Sequence, residues 1–315
     1  MSEEGYIRKA THAGSWYTDE AEELDQEMEQ YLEDAKFTLP SEDSKIRAII
    51  GPHAGFRWSG PTAAWAYTLI KNSSHISSTL NNPTHAFKRI FLLGPAHKTR
   101  VDGAALSRAT ALETPLGDLD VDQEITETLA SKEPFVYYSK EADEKEHSLE
   151  MHMPFIKKMF EEDIKVVPII VGSVSFDKHQ QIAEALVDYF KDEDNFFIIS
   201  SDFCHWGLKF RYMPFDEEEC NNSGLQDPNI NDYIEILDRK AIKIIEQQSG
   251  EEFQEYLKET KNTICGRNPI TVLLEIIKAS GLSTETKNVK YAQSGKIEGK
   301  FSSSVSYASF YTILT

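Results

Sequence analysis

The chain has 315 residues, of which 40% are hydrophobic and 11% aromatic, which is enough apolar side chains for a large core in one large or two small domains. Its formal charge of −19 at pH 7 argues against a nucleic-acid partner, because such binding rests largely on Lys and Arg side chains that neutralise phosphates. No segment approaches the roughly 20 apolar residues of a membrane span, which argues against membrane insertion.

The three cysteines favour a reducing compartment. They are Cys204, Cys220 and Cys265, an odd number in a chain too long to need disulfide bonds for stability. The first residues, MSEEGYIRKATHAG, lack the apolar stretch of a signal peptide. We therefore expect a cytoplasmic protein, with a nuclear pool as a further option.

The amino-terminal third predicts a βαβ unit. Thr18 is a plausible N-cap for an amphipathic helix over residues 24–35. An apolar strand over residues 46–50 ends at Gly-Pro, and a second strand over residues 89–93 ends the same way, with a helix of small residues between them. Strands joined in this way are parallel, so the histidines that follow them lie at the same edge of the sheet.

The rest of the chain continues the alternation of strands and helices. We interpret residues 72–83 and 215–231 as surface loops rich in Asn, and residues 104–120 as short strands. The further predicted elements are helices over 121–130, 182–190, 234–246, 253–260 and 273–279, and strands over 166–171, 196–200, 289–293 and 303–311, the last two antiparallel at an edge. No linker interrupts the chain. We expect a single α/β domain over residues 1–315, with a central, mostly parallel sheet flanked by helices.

Three predicted strands deliver polar side chains beyond their carboxyl ends. His53 and His97 follow the first two strands, and Asp202, Cys204 and His205 follow the strand over 196–200. In open α/β sheets ligands bind at this edge, and neutral histidine is the commonest metal ligand. The pattern therefore predicts one pocket that contains the three histidines.

Two further motifs leave alternatives open. Cys265, in NTICGRNPI, is either a small buried hydrophobe or a third metal ligand, and a His₂Cys set suits copper, iron or zinc better than magnesium or calcium. In EHSLEMHMPF, His147 and Glu150 share a helix face, so they either support the pocket or belong to an ordinary helix start. The spacing is not that of an HExxH zinc motif.

A Ser-His-Asp hydrolase is the natural rival. Ser200, Ser201, Asp202 and His205 are close in sequence, but a GxSxG elbow is missing and sequence neighbours rarely meet in triad geometry. We therefore reject this interpretation.

Taken together, the motifs THAGSWYT, GPHAG, LGPAH, EHSLEMHMPF, SSDFCHWG, NTICGRNPI and SSVSYA resemble the Memo family (mediator of ErbB-driven motility) in order and spacing. The resemblance runs almost end to end. It implies a fold similar to the class III extradiol dioxygenases, which hold Fe(II) with two histidines and a glutamate. Phe56 stands where animal members of the family tend to carry tyrosine.

The resemblance also implies roles for single residues. His53, His97 and Cys265 match the metal-binding positions, with Fe(II) or Cu(I) as the cofactor, and His205 matches the acid/base histidine beside Asp202. A thiolate in place of a carboxylate casts doubt on ordinary ring cleavage. The residues expected to line the pocket are His12, Trp16, Phe56, His147, Glu150, Cys204 and Arg267.

Three functions follow as expectations. The first is a metal-dependent redox protein, such as a dioxygenase-like oxidoreductase, that acts on O₂ or a small molecule and is linked to cell-motility signalling. The second is a non-catalytic adaptor for phosphotyrosine peptides of receptor signalling proteins, although only Arg57 and Arg267 lie near the pocket motifs. The third is copper sequestration, which requires an exposed Cys265.

Overall fold

The protein is described from a computed structural model. The structure describes residues 5–37, 45–71, 87–160, 163–299 and 301–315. The predicted loop over residues 72–83 lies outside these ranges.

Strands and helices alternate over most of the described chain. The strands are β1 (Tyr6–Arg8), β2 (Ile46–Gly51), β3 (Arg89–Pro95), β4 (Ala104–Leu106), β5 (Ala109–Leu112), β6 (Leu119–Val121), β7 (Phe135–Tyr137), β8 (Lys165–Val171), β9 (Asn195–Ser200), β10 (Asp202–Gly207), β11 (Thr284–Gln293) and β12 (Ser303–Leu314). The helices are α1 (Ala21–Asp34), α2 (Phe56–Lys71), α3 (Gln123–Ala130), α4 (Lys140–Lys145), α5 (Met153–Met159), α6 (Phe176–Lys191), α7 (Glu217–Asn222), α8 (Ile230–Glu246), α9 (Gly250–Thr260) and α10 (Arg267–Ser280).

All these strands join one sheet, whose centre is parallel. Its order is β1-β5-β6-β8-β3-β9-β2-β12-β10, with β11 paired to β12 and β4 paired to β7 and β8. The five strands from β6 to β2 are mutually parallel. The predicted α/β class with a mostly parallel central sheet is confirmed. The prediction of a single domain over residues 1–315 extends beyond the described ranges and stays a prediction.

Helices cover both faces of the central strands, which explains their continuous apolar sequence. Ile90 and Leu92 of β3 pack in a core with α1, α2 and α5, whereas Phe91 and Leu93 pack in a second core with α6, α8, α9 and α10. Because successive side chains of a strand point to opposite faces, a strand buried on both sides needs apolar residues at every position.

The last strands differ from the prediction of an antiparallel edge pair. β12 is antiparallel to β11 as predicted, but it lies inside the sheet, because its other side pairs with β2 and then with β10. Phe310 pairs with Ile50 near the end of β2, and Tyr307 pairs with Asp202 at the start of β10. The chain therefore turns at Ser201 and takes up the pairing with β12 just beyond the end of β2.

Three local predictions are wrong. Thr18 is not the N-cap of α1, because Glu20 occupies that position and the Thr18 hydroxyl instead accepts a hydrogen bond from the Glu20 amide. The segment 215–231 is not all loop: it contains α7, whose N-cap Asp216 accepts a hydrogen bond from the Glu219 amide. His147 lies in the turn before α5 and does not share a helix face with Glu150.

Within the described ranges, none of the helices combines the length and the hydropathy needed to cross a membrane.

Candidate metal centre

The candidate site lies at the carboxyl edge of the parallel strands. His53 follows β2 by two residues, His97 follows β3 by two residues, and β9 leads through Ser201 into β10 with Asp202 and His205. Cys265 reaches the same edge from the other direction, in the turn just before α10. The structure therefore brings together the two predicted histidine ligands, the predicted thiol, and the predicted acid/base histidine with Asp202 beside it.

His53 is buried, with 1% of its surface exposed. Its amide donates to Asp202 Oδ1 at 2.8 Å, and its Nδ1 lies 2.6 Å from Ser200 Oγ. The Ser200 hydroxyl donates its hydrogen to the Ser148 carbonyl at 2.6 Å, so it accepts from His53, and Nδ1 carries the proton. The unprotonated Nε2 faces Cys265 Sγ at 3.1 Å.

His97 is the most exposed member of the cluster, and a buried carboxylate holds it. Glu146 accepts hydrogen bonds from the His97 amide at 2.6 Å and from His97 Nδ1 at 2.8 Å. Burial raises the pKa of Glu146, but the bonds and charge of His97 outweigh burial and bring it down to about 2. An ionised carboxylate only accepts hydrogen bonds, so His97 Nδ1 carries a proton, and Nε2 is the ring nitrogen that this bond leaves unused.

Cys265 is held against β10 by reciprocal contacts with one residue. Its amide donates to the Asp202 carbonyl at 3.3 Å, and its sulfur accepts from the Asp202 amide at 3.2 Å. Burial, with the nearby Asp202 carboxyl, raises the pKa of the thiol well above its ordinary value. In the absence of a cation, Cys265 is therefore a neutral thiol.

His205 and Asp202 have pKa values shifted in opposite directions by burial. His205 Nδ1 donates to the Phe203 carbonyl at 2.8 Å, and burial lowers its pKa to about 4. Burial raises the pKa of Asp202 to about 7, although the amides of His53 and Ala54 both donate to its Oδ1. Near neutral pH, the site therefore holds an imidazole that can accept a proton and a carboxyl group close to its midpoint.

The donor atoms fit a soft or borderline metal ion. Among the described residues, three sets of three side chains have potential ligand atoms within 4.8 Å of one another: His53, His97, Cys265; Asp202, His205, Cys265; and His97, Glu146, His147. The first set offers two imidazole nitrogens and one sulfur, the ligand types that iron, copper and zinc accept. The third set is a poorer candidate, because Glu146 already accepts bonds from the amides of His97, Lys98 and Ser148 and from His97 Nδ1.

A layer of aromatic rings forms one wall of the site. The His147 ring stacks on the His97 ring at 4.4 Å between centroids, and Trp16 covers His147 at 4.6 Å. His12 contacts both Trp16 and His147. Burial, followed by the charge of His97, lowers the pKa of His147 to about 3, so this ring is neutral.

Glu150 lies behind this wall. It is fully buried, and its Oε1 and Oε2 accept from the amide and Nδ1 of His12 at 2.7 and 2.8 Å. Glu150 therefore orients His12 and does not face the cluster directly.

Arg8 bonds to the residues that stand behind the site, and no sequence pattern predicted this role. It is 1% exposed and donates to Glu150 Oε2 at 2.8 Å, to Asp143 Oδ1 at 3.2 Å and to the Glu146 carbonyl at 2.6 Å. An arginine in a short strand near the chain start usually lies at the surface. Its partners are more than 130 residues away in sequence, so local spacing holds no signal for this network.

Three predicted lining residues lie apart from the cluster or at its margin. Phe56 is buried against Tyr17 and Phe155, and Cys204 is buried against Trp206 and Ile234. Arg267 begins α10 and donates to the Ile264 carbonyl at 3.1 Å.

A cleft of about 560 Å³ is lined by Ala54 and Gly55, the two residues that follow His53 in the chain. Trp16 and Trp58 supply aromatic surface, and Arg57 and Lys209 supply positive charge. The remaining lining residues are Ser15, Ser294, Ser303, Val305 and Tyr307.

Comparisons with known proteins match almost the whole chain. The sequence model of the family described as "Memo-like protein" matches residues 8–311. The chain is 39% identical to "Protein MEMO1" of Danio rerio over 98% of both chains. It is 37% identical to "Protein memo-1 homolog" of Caenorhabditis elegans, over 96% of this chain and 82% of that protein. It is also 37% identical to a MEMO1 family protein of Schizosaccharomyces pombe, over 96% and 97% of the two chains.

Among solved structures, an uncharacterized protein of Escherichia coli K12 aligns with a TM-score of 0.42 and 14% identity, over 84% of this chain and 99% of that chain. A likeness of this size carries no argument about fold or function. The family model and the relatives, by contrast, match almost the whole chain, and they show that the chain belongs to the Memo family.

Proposed function

We propose that this chain is an intracellular redox protein that binds one Fe(II) or Cu(I) ion through His53 Nε2, His97 Nε2 and Cys265 Sγ. The observation that carries the proposal is the pair of hydrogen bonds made by Nδ1 of the two histidines. Ser200 and Glu146 each accept a hydrogen bond from Nδ1 of one ring, which leaves Nε2 of both rings to bind a metal beside the sulfur. A bound iron or copper ion would supply one-electron chemistry and open positions for O₂ or a small molecule.

The chain's own groups handle the protons. The Cys265 thiol must lose its proton to bind a metal, and its raised pKa makes metal affinity rise with pH. His205, neutral at pH 7, accepts a proton at Nε2, while its Nδ1–H bond to the Phe203 carbonyl fixes the ring. Asp202 holds the His53 amide and the Cys265 sulfur in register.

The experiment is an anaerobic titration with Fe(II) and with Cu(I), followed by elemental analysis, on wild type, Cys265→Ser, His97→Ala and Cys220→Ser. Cys220 is a buried cysteine in a separate cluster with Tyr233 and Leu237, so its variant is the matched control. We expect one ion in wild type and in Cys220→Ser, and an affinity at least about 100-fold lower in the other two variants. Unchanged binding in Cys265→Ser would refute the ligand set.

The cleft lined by Ala54 and Gly55 favours a second candidate, a phosphotyrosine-peptide adaptor. Arg57 and Lys209 supply cations for a phosphate, and Trp16 and Trp58 supply surface for an aromatic ring. A phosphotyrosine peptide and its unphosphorylated twin would be titrated with and without metal. Equal affinities of the two peptides would remove this candidate.

Copper sequestration, the third candidate, depends on access to Cys265. Cys265 is partly exposed and His97 is exposed, whereas His53 is buried. Release of Cu(I) to a chelator in the titration above would measure this access directly.

A further inference from the structure

The two histidine ligands are held by different chemical groups. His97 Nδ1 donates to the Glu146 carboxylate at 2.8 Å, and His53 Nδ1 donates to the Ser200 hydroxyl at 2.6 Å. Outer partners of metal-binding histidines fix the tautomer and the ring orientation. A hydroxyl is a conditional acceptor: it accepts from His53 only while its own hydrogen points elsewhere.

Ser148 keeps the hydroxyl hydrogen of Ser200 directed away from His53. Its carbonyl accepts the Ser200 hydroxyl hydrogen at 2.6 Å, which leaves the Ser200 oxygen as an acceptor for His53. The amide of the same residue donates to Glu146 Oε1 at 3.1 Å, and its side chain donates to the Pro95 carbonyl at 2.9 Å. One residue of the turn before α5 therefore supports the outer partners of both histidines.

The other tautomer of His53 would change the site. With the proton on Nε2, the ring would donate to Cys265 Sγ, which lies 3.1 Å away, and Nε2 would have no lone pair for a metal. His53 is 1% exposed, so an Nδ1–H without an acceptor would cost a full desolvation penalty. Without the Ser200 hydroxyl, the Nε2–H tautomer therefore becomes the favoured one.

We infer that Ser200 is a positioning residue: through its bond to the Ser148 carbonyl, its hydroxyl holds His53 in the Nδ1–H tautomer and keeps Nε2 available as a ligand. The tautomer belongs to the metal-free chain. Its consequence for metal affinity rests on the proposed function.

The first test reads the tautomer directly. Long-range ¹H–¹⁵N spectra of metal-free protein, with His53 assigned from a His53→Gln spectrum, distinguish a protonated Nδ1 from a protonated Nε2. We expect Nδ1–H in wild type and in Ser309→Ala, and Nε2–H in Ser200→Ala. Ser309 is the matched control, because it is also fully buried and also donates its hydroxyl hydrogen to a backbone carbonyl, that of Thr62 at 2.7 Å.

The second test measures affinity for Co²⁺, used as a spectroscopic probe, in the same three proteins. We expect Ser200→Ala to bind about 10- to 100-fold more weakly than Ser309→Ala, with a changed ligand-field spectrum. Ser200→Thr, which keeps the hydroxyl, restores both properties where it folds.

The outcomes separate the inference from the proposed function. An Nε2–H signal for His53 in wild type overturns the inference without any variant, and so does an unchanged tautomer or unchanged Co²⁺ affinity in Ser200→Ala. If wild type binds no Co²⁺, Fe(II) or Cu(I), the proposed function fails, and the tautomer spectra alone decide the role of Ser200.

Discussion

The guanidinium of Arg8 contacts the segments that support the layer of aromatic rings at one wall of the site. It contacts Asp143 at the end of α4, the Glu146 carbonyl, and Glu150, which in turn orients His12. Burial raises the pKa of Glu150, but the bonds from His12 and the charge of Arg8 outweigh burial and keep the carboxylate ionised. A buried charge of this kind is stable only while its partners remain.

We expect Arg8→Met to lower the free energy of unfolding by about 3–5 kcal/mol, because it leaves the buried Asp143 and Glu150 carboxylates without their counter-charge. The adjacent Lys9→Met is the matched control, since Lys9 pairs with Glu113 at the surface, where the two side chains are 56% and 37% exposed. We expect this variant to stay close to wild type in stability, because an exposed ion pair contributes little. Urea unfolding at pH 7 measures both, and similar small losses would contradict the role given to Arg8.

At the scale of elements, the site depends on how closely α10 approaches the β9–β10 turn. A Cβ on Gly266 would lie 2.3 Å from Ser201 Cβ and 2.5 Å from the Ser200 carbonyl oxygen. The backbone of Gly266 has φ −82° and ψ 18°, which other residues adopt readily, so packing alone requires glycine here. This close approach places Cys265 against Asp202 and beside His53.

We expect Gly266→Ala to destabilise the fold by about 1–3 kcal/mol, because the new methyl group must push α10 away from the turn. Gly295→Ala is the control: a Cβ there meets no atom within 4 Å, and its effect should stay within about 0.5 kcal/mol. Thermal unfolding of metal-free protein compares the two. Equal midpoints would show that the turn tolerates the methyl group.

At the scale of the whole molecule, among the described residues, the buried histidines whose pKa is lowered outnumber the buried carboxyl groups whose pKa is raised. Burial lowers the pKa of His147 and His152 to about 3 and that of His179 and His205 to about 4. It raises the pKa of Asp202 to about 7 and that of Asp238 to about 6. Between about pH 4 and 6.5, the unfolded chain therefore binds more protons than the folded one.

We expect the stability of metal-free protein to fall as the pH is lowered through this window. A histidine whose pKa is lowered by folding contributes stability above its unfolded-state pKa, and that stability is lost as the pH falls towards its folded-state pKa. Each such proton contributes a slope of about 1.4 kcal/mol per pH unit. His179→Gln should reduce the slope of stability against pH in this window by the contribution of about one proton. Asp238→Asn should steepen it, because a carboxyl group with a raised pKa favours folding at low pH. Urea unfolding at several pH values measures the slopes. Equal slopes in the two variants would refute the opposite pKa shifts of His179 and Asp238.

Much of the fold was predictable from sequence because its signals are local. The apolar runs that end at Gly-Pro predicted β2 and β3, and the helical spacing after Thr18 predicted α1. The path of β10 was not predictable, since no local pattern shows that residues 202–207 continue the pairing with β12 beyond the end of β2. The order of strands depends on contacts between segments far apart in the chain.

By itself, the sequence determined the α/β class, the family and the set of residues gathered at the strand ends, because these follow from hydrophobic periodicity, turn residues and motif spacing. Only the tertiary structure decided which nitrogen of each histidine bonds to a supporting group, which one is left for a ligand, and which residues provide that support. Ser200, Ser148, Glu146 and Arg8 act through hydrogen bonds between distant segments. Such bonds depend on distances of about 3 Å that folding alone sets, and sequence spacing carries no record of them.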